Sequence, residues 1–191
     1  MKLFPLFLKL AGRKVLVVGG GPVAAAKIAA LREADAEIAV VAPEVVPEIG
    51  DLATAGKIAL LRRSFGAADL GGVWLVVAAA TSEVNRTVAA AAESQRLFVL
   101  AVDQTSAASA YGAGTLRRGG VTIAVSTDGR APALAGLIRE GLEAVLPDDV
   151  SAWTAEAERQ RAAWKRDGVP MAARRPLLLQ ALNDLYDRRS S

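Results

Sequence analysis

The 191-residue sequence is long enough for one domain with a smaller appendage, and its 52% of hydrophobic residues suffices for a sizeable core. It contains neither cysteine nor histidine, which excludes disulfides, thiolate catalysis and sulfur-bound metal, so we predict no metal site. The net charge of +3 falls within residues 151–191, and the basic side chains are not interleaved with aromatic ones, so we expect no nucleic-acid partner.

The apolar amino terminus, residues 1–8, is too short for a secretory signal sequence, and Lys9 interrupts it. We interpret it as an element that packs on a sheet. No apolar run reaches the ~18 residues that a membrane span needs. We therefore expect a cytoplasmic protein with no membrane partner.

Continuous apolar strands alternate with segments of helical spacing from Lys14 to Val102. Strands are predicted at Lys14–Val18, Glu37–Val41, Ile58–Leu61, Val73–Ala79 and Leu97–Val102. This alternation is typical of a parallel sheet covered on both faces, and right-handed crossovers give the strand order 3-2-1-4-5. The predicted fold class is therefore α/β with a Rossmann-like sheet.

A glycine-rich turn follows the first strand. Gly19, Gly21 and Ala24 fill the three small positions of the G-x-G-x-x-(G/A) dinucleotide fingerprint. The helix that begins there offers free N–H groups and a positive dipole end to phosphates, and Pro22 suits its first turn. We expect Gly19, Gly21, Pro22 and Val23 to contact the pyrophosphate of a dinucleotide.

Two further strand ends carry candidate cofactor residues. The tip of the second strand is Ala42-Pro43-Glu44, where Glu44 either reaches the ribose or is solvent-facing surface. This tip has no arginine, which favours NAD over NADP. Thr81, after the fourth strand, either lines the cofactor pocket or caps the next helix.

Asp103 is the candidate for chemistry. It follows the apolar fifth strand, beside the crevice where open α/β sheets bind ligands. Partial desolvation there suits a general base, and a chain without histidine needs a carboxylate for proton transfer. The alternative is an aspartate that forms a turn or caps a helix.

The pattern changes after the fifth strand. Thr115–Arg118 and Val121–Val125 flank the Gly119-Gly120 pair, which predicts a β-hairpin. Three helices are predicted after it, at Ala133–Leu146, Ser151–Arg166 and Arg174–Arg188. Two strands and three helices cannot bury themselves, so we expect this α+β region and helical tail to be completed by a second copy of the chain.

Several motifs taken together resemble one known family. They are Leu6-Phe7-Leu8, the fingerprint Val17–Lys27, Val40–Glu44, Val76–Thr81 before Val84-Asn85, Val102-Asp103, and Arg118–Thr127 with Ala131–Ala135. In these motifs residues 3–150 resemble the siroheme synthase N-terminal family, the precorrin-2 dehydrogenase and sirohydrochlorin ferrochelatase proteins. Larger members continue into a methyltransferase domain, so the sequence is most similar to the stand-alone form.

The resemblance implies a homodimer with three parts in each chain. They are an NAD-binding Rossmann domain at 1–112, a dimerisation region at 113–148 and a helical region at 149–191. It also implies NAD-dependent oxidation of precorrin-2 to sirohydrochlorin and, in some members, insertion of Fe²⁺ into sirohydrochlorin. The alternatives are a non-catalytic sensor of NAD or a tetrapyrrole, and a chelatase only.

Single residues gain roles from the resemblance. Asp103 matches the catalytic aspartate of the family, and the backbone near Pro43 and Glu44 would hold the ribose. Thr127 matches a serine that can be phosphorylated in some members, and Ser126 and Thr127 either contact the substrate or begin a helix. Four arginines either meet precorrin-2 carboxylates or are solvated surface: Arg117, Arg118, Arg130 and Arg139.

The sequence departs from the family pattern at positions expected around the substrate cleft. Leu100 replaces a usual asparagine, Ala110 a phenylalanine and Asp128 a common glycine. Gly112-Ala113-Gly114 replaces a stretch that contains proline.

Overall fold

The computed structural model describes residues 3–102 and 106–190, which form two compact units that divide between Gly112 and Ala113. The further predicted boundary between residues 148 and 149 stays a prediction. Among the described residues, no helix is long and apolar enough to cross a membrane.

The first unit is a five-stranded parallel sheet with the order β3-β2-β1-β4-β5, which confirms the predicted Rossmann-like topology. Its elements are β1 (Lys14–Val18), α1 (Pro22–Glu33), β2 (Glu37–Val41), α2 (Pro47–Thr54), β3 (Ala59–Leu61), β4 (Leu75–Ala78), α3 (Ser82–Ser94) and β5 (Phe98–Ala101). A single 3₁₀ turn, Ala67–Leu70, precedes β4.

Successive residues of a strand point to opposite faces of the sheet. Helices cover both faces, so the side chains on each face are buried. Val15 and Val17 pack with Ile28 of α1 and Ile49 of α2 on one face. On the other face, Leu16 and Val18 of β1 pack with Val88 and Ala92 of α3. The continuous apolar strands seen in the sequence are therefore the two-sided core of a parallel sheet.

The amino-terminal segment does not pack on the sheet, so that prediction was wrong. Phe4 and Phe7 are 84% and 72% exposed, and Leu6 and Leu8 are about half exposed. Leu10 is the first of the described residues to join the core. The apolar content of this segment was a poor guide because α1, α2 and α3 already supply the side chains that cover the sheet.

The second unit begins with an antiparallel hairpin, as predicted. Strands β6 (Gly114–Arg118) and β7 (Val121–Val125) pair around Gly119 and Gly120. Both glycines have positive φ, +52° and +82°, the conformation that a two-residue hairpin turn of this type requires. The helices are α4 (Pro132–Val145), α5 (Val150–Arg166) and α6 (Met171–Ser190).

Helix α6 begins earlier than predicted and contains Pro176 in its interior. Its first turn forms from Pro170, whose carbonyl accepts from the N–H of Ala173 at 3.1 Å. The guanidinium of Arg174 donates to the Val169 carbonyl at 2.9 and 3.1 Å. These bonds support a helical turn before Pro176, so the helix starts at Met171 and not at the predicted Arg174.

The second unit has a small core. Four apolar side chains of its described residues are buried: Leu116, Ala135, Val150 and Trp164. Helix α4 packs on the hairpin through Ala135, whereas most of its large apolar side chains are exposed. We call the exposed ones the α4 stripe: Leu134, Leu137, Ile138 and Val145, which are 43–75% exposed.

Candidate functional site

The first fingerprint glycine is required by the fold. Gly19 is buried with φ +129°, and its N–H donates to the Val41 carbonyl at 3.1 Å. A β-carbon on Gly19 would collide with the backbone carbonyl of Ala79. The missing side chain therefore lets the turn after β1 lie directly against the end of β4.

The middle glycine, Gly20, is also required by the fold, although the fingerprint leaves that position unrestricted. A β-carbon on Gly20 would collide with the Glu44 carbonyl, and the Gly20 carbonyl accepts from the Val46 N–H at 2.8 Å. This contact brings the Glu44 backbone against the glycine turn. The side chains of Pro43 and Glu44 are exposed.

Gly21, the second glycine of the fingerprint, borders open space. No atom of the described residues would lie within 4 Å of a β-carbon on Gly21, and its φ of −85° is accessible to any residue. Helix α1 starts here without a side-chain cap from the described part of the chain and without an acidic residue in its first turn. Free N–H groups, a positive helix end and open space at Gly21 fit a pyrophosphate.

A crevice of about 240 Å³ opens beside this turn. It is lined by Val23, Ala79, Ala80, Thr81, Ser82, Asn85 and Val102. The crevice thus brings together two predicted cofactor residues, Val23 from α1 and Thr81 from the end of β4. It lies at the carboxyl end of the sheet, where open α/β folds bind ligands.

Thr81 caps α3, which was one of its two alternatives, and its role in a cofactor pocket stays a prediction. It lines the crevice, and it is also the residue that caps α3, because its hydroxyl accepts from the Val84 N–H at 3.5 Å. A hydroxyl has one donor and two acceptor positions, so the capping bond leaves it able to donate one bond and accept another.

Asn85 is a residue of the crevice that the sequence analysis named only within the family motif Val84-Asn85 and to which it gave no role. It is 2% exposed, and its amide exchanges two hydrogen bonds with the backbone of Ala80, at 3.0 and 3.3 Å. The signal was a polar residue on the apolar face of α3 that also carries Val88 and Ala92. A buried amide in such a position needs partners, which indicates a specific role.

Asp103 lies outside the described residues. Its neighbour Val102 lines the crevice and donates to the Ala78 carbonyl at 3.0 Å. Beyond the undescribed residues, the chain pairs with β5, because the Ala110 N–H donates to Val99 at 2.9 Å. Leu100 and Ala110 form an isolated parallel β-bridge, and the Leu100 side chain packs against the core of the sheet.

The second unit carries the hydroxyl candidates in one turn before α4. The Ser126 hydroxyl accepts from the Asp128 N–H at 3.1 Å, and the Thr127 hydroxyl accepts from the Ala131 N–H at 3.1 Å. Both hydroxyls therefore shape the start of the helix. Asp128 has φ +55°, the left-handed region that favours glycine, which explains why glycine suits this position.

The four candidate arginines divide into two pairs. Arg118 donates to the Leu146 carbonyl and pairs with Asp148 at 3.3 Å, and Arg139 pairs with Glu143 at 2.6 Å. These two arginines stabilise the packing and the helical turn around α4. Arg130 and Arg117 are exposed; Arg130 lies 3.5 Å from Asp128 with 80% of its side chain accessible.

Family comparisons match both units of the chain. A model described as "Putative NAD(P)-binding" matches residues 6–112, and one described as "Sirohaem biosynthesis protein central" matches residues 118–144. The chain belongs to the siroheme synthase N-terminal family. The first match covers more than half of the chain and shows that its Rossmann unit is of the NAD(P)-binding type.

Curated relatives of this family are siroheme synthases. Siroheme synthase 3 of Aeromonas hydrophila is 40% identical over 176 residues, which are 92% of this chain and 38% of the relative. Siroheme synthase of Neisseria meningitidis serogroup C is 42% identical over 166 residues, 86% of this chain and 35% of the relative. The chain therefore spans less than two fifths of the length of these two relatives.

One solved structure is similar along almost its whole length. It is SirC, precorrin-2 dehydrogenase, with 28% identity and a TM-score of 0.73. The match covers 96% of this chain and 92% of SirC. The likeness thus extends beyond the Rossmann unit into the hairpin and helices.

Proposed function

We propose that this chain oxidises precorrin-2 to sirohydrochlorin in siroheme biosynthesis, with NAD as cofactor. The observation that carries the proposal is the similarity to SirC, precorrin-2 dehydrogenase, over 96% of this chain. A Rossmann unit alone occurs in many unrelated enzymes, so likeness in both units is what favours this reaction.

The residues around the crevice fit the dinucleotide. Gly19, Gly21, Pro22 and Val23 would contact the pyrophosphate, and the backbone of Pro43-Glu44 would hold the ribose. Thr81 would line the same pocket. The absence of arginine from the tip of β2 favours NAD over NADP. Bound NAD would supply the acceptor for the hydride that leaves the tetrapyrrole.

Removal of a hydride from precorrin-2 must be accompanied by loss of a proton, for which we propose Asp103 as the base. The chain has no histidine or cysteine, so a carboxylate is the natural acceptor. Support comes from the sequence position of Asp103 directly after Val102, which lines the crevice.

We propose Arg117, Arg130, Ser126 and Thr127 as substrate contacts. Arg130 is the strongest of these, because its guanidinium is highly exposed and its pairing with Asp128 is long. Guanidinium groups suit the carboxylates of precorrin-2 because they form two parallel hydrogen bonds. Modification of Thr127 stays a prediction.

A homodimer is part of the proposal. The α4 stripe exposes four large apolar side chains on one helix face. Single exposed apolar residues are common on protein surfaces, whereas a contiguous group of them is typical of an interface. Burial of that face against a second copy would enlarge the small core of the second unit. The cytoplasmic location and the insertion of Fe²⁺, as a substrate, stay predictions from the sequence.

The direct test mixes the protein with NAD and precorrin-2 and follows NADH by its absorbance. We expect turnover by the wild type and a loss of about 10²–10⁴-fold in Asp103→Asn, which keeps the size of the side chain but removes the base. Asp51→Asn, an exposed residue of α2, is the matched control and should retain full activity.

The outcomes separate the alternatives. Binding of NAD without any turnover would contradict the proposal and favour a sensor. Full activity of Asp103→Asn would contradict the assignment of the base. Repeating the assay with Fe²⁺ and sirohydrochlorin, in the absence of NAD, measures the chelatase reaction separately.

A further inference from the structure

We infer that Asn85 is a positioning residue for the dinucleotide, which it serves by fixing the peptide of Ala80 as one wall of the crevice. The inference rests on the proposed NAD site. It concerns binding of the cofactor and makes no use of the tetrapyrrole.

One side chain controls both backbone groups of Ala80. The Ala80 N–H donates to Asn85 Oδ1 at 3.0 Å, and Asn85 Nδ2 donates to the Ala80 carbonyl at 3.3 Å. The two bonds close a ring between α3 and the end of β4. Rotation of the Ala80 backbone would break both bonds together.

The flanking residues are held by separate contacts. The Ala79 N–H donates to Val18 at 2.8 Å, and the Ala79 carbonyl lies where a side chain on Gly19 would be. On the other side, the Thr81 carbonyl accepts the Asn85 N–H at 2.8 Å in the first turn of α3. Ala80 is the free link between these two fixed points, and Asn85 removes its freedom.

Packing alone does not explain an amide at this position. Asn85 lies on the same helix face as Val88, where an apolar side chain would also be buried. Ala80 is an exposed residue, and its two hydrogen bonds with the amide are only partly buried. What the amide adds is one conformation of the Ala80 peptide in a crevice that Val23 also lines, and a preformed wall lowers the ordering cost of binding.

The substitution Asn85→Asp tests this role with a built-in switch. An ionised carboxylate can only accept, so it keeps the bond from the Ala80 N–H and opposes the Ala80 carbonyl. A protonated carboxyl group offers one donor and one acceptor, as the amide does. Burial and the facing carbonyl both favour the protonated form of the new side chain.

We expect Asn85→Asp to bind NADH about tenfold more weakly than wild type at pH 8 and close to wild type near pH 5.5. NADH fluorescence titration gives the affinity at each pH, well below the unfolding temperature measured by circular dichroism. Gln95→Glu, an exposed amide at the other end of α3, is the matched control and should follow the wild type at both pH values.

The charged groups near Asn85 are the same in the wild type, in Asn85→Asp and in Gln95→Glu. Glu83 and Arg86 are exposed on α3, and Asp69 in the 3₁₀ turn that packs on α3 is paired with Arg63. A new carboxylate in the lining of the crevice would also repel the phosphates of NADH, so the uncharged variant Asn85→Ala is titrated as well. A purely structural Asn85 would change the unfolding temperature of Asn85→Ala and leave its NADH affinity equal to that of wild type at both pH values.

That equal affinity, in folded protein, would overturn the inference. Asn85→Ala removes both bonds without adding charge, so we expect it to bind NADH about tenfold more weakly than wild type at both pH values, and it keeps the test available if Asn85→Asp does not fold at pH 8. A wild type that binds NADH but does not oxidise precorrin-2 would contradict the proposed function and leave this test intact.

Discussion

The two units of this chain differ in how they bury their apolar side chains. The Rossmann unit packs α1 and α2 on one face of its sheet and α3 on the other, so both faces are covered. The second unit leaves the α4 stripe exposed, with Leu137 at 65% and Val145 at 75%. The first unit thus closes its core within one chain, whereas the second leaves an apolar surface that a second copy would cover in the proposed homodimer.

This difference indicates where single changes act. In the Rossmann unit, backbone segments lie so close together that side chains are excluded at fixed points. In the second unit, the large apolar side chains of the α4 stripe lie on the surface. We therefore expect substitutions in the first unit to act on folding or on the cofactor, and substitutions in the α4 stripe to act on association.

The largest expected effect is on the free energy of unfolding, and it comes from substituting one of two adjacent glycines, Gly20, which is crowded, and Gly21, which is not. Gly20→Val forces a side chain onto the Glu44 carbonyl and should lower the free energy of unfolding by about 3 kcal/mol or more. Gly21→Val meets open space, so it should keep its stability within about 1 kcal/mol and weaken NADH binding at least about tenfold. Thermal unfolding and NADH titration on both variants measure the two effects.

Equal stability of these two variants would show that the close approach at Gly20 is not needed for folding. Wild-type NADH affinity in Gly21→Val would remove Gly21 from the cofactor site.

An intermediate effect is expected in the second unit. Leu137→Glu places a charge on the α4 stripe and should weaken dimerisation by about 2 kcal/mol or more. The same new charge at Ala162, an exposed position of α5, should leave association unchanged. Light scattering over a range of concentrations measures both. A wild type that stays monomeric at high concentration would contradict the dimer and the contrast between the units.

The smallest effect concerns the Arg63–Asp69 pair inside the first unit. The Arg63 guanidinium, which donates to both carboxylate oxygens, lowers the pKa of Asp69 below its ordinary value of 3.8, and the Gly66 N–H adds to this. A carboxylate with a lowered pKa in the folded state stabilises the protein above the pKa of the unfolded state. That stability is lost as the pH falls through the folded pKa.

Asp69→Asn should therefore be less stable than wild type by about 1 kcal/mol at pH 7, because half-exposed Arg63 limits the strength of the pair. The difference should shrink below pH 4. Glu93→Gln, an exposed residue of α3, should show no such change. Denaturant unfolding at pH 7, 4 and 3 measures it, and a difference independent of pH would contradict the role of the ion pair.

Much of the first unit could be predicted from the sequence because its signals are local. The apolar run Lys14–Val18 and the run Glu37–Val41 became β1 and β2 with the expected bounds, since a strand buried on both faces must be apolar throughout. The hairpin was also predictable, because Gly119 and Gly120 adopt a conformation that other residues avoid.

The features that escaped prediction depend on what a residue meets in three dimensions. Gly20 is constrained by Glu44, which lies far along the chain, and Asn85 by the peptide of Ala80. The amino-terminal segment around Phe7 is apolar yet exposed, because hydrophobicity alone does not say which surface receives it. The exposure of the α4 stripe likewise depends on the hairpin, which packs against the Ala135 side of α4.

The glycine turn also offers a way to interpret natural variation. Positions 19 and 20 are kept small by the protein's own backbone, whereas position 21 is small only if a ligand comes close. A related sequence that retained the first two glycines but carried a bulky residue at the third would be expected to keep this fold and to have abandoned the dinucleotide. Such a pattern would mark relatives that kept the scaffold without the proposed cofactor site.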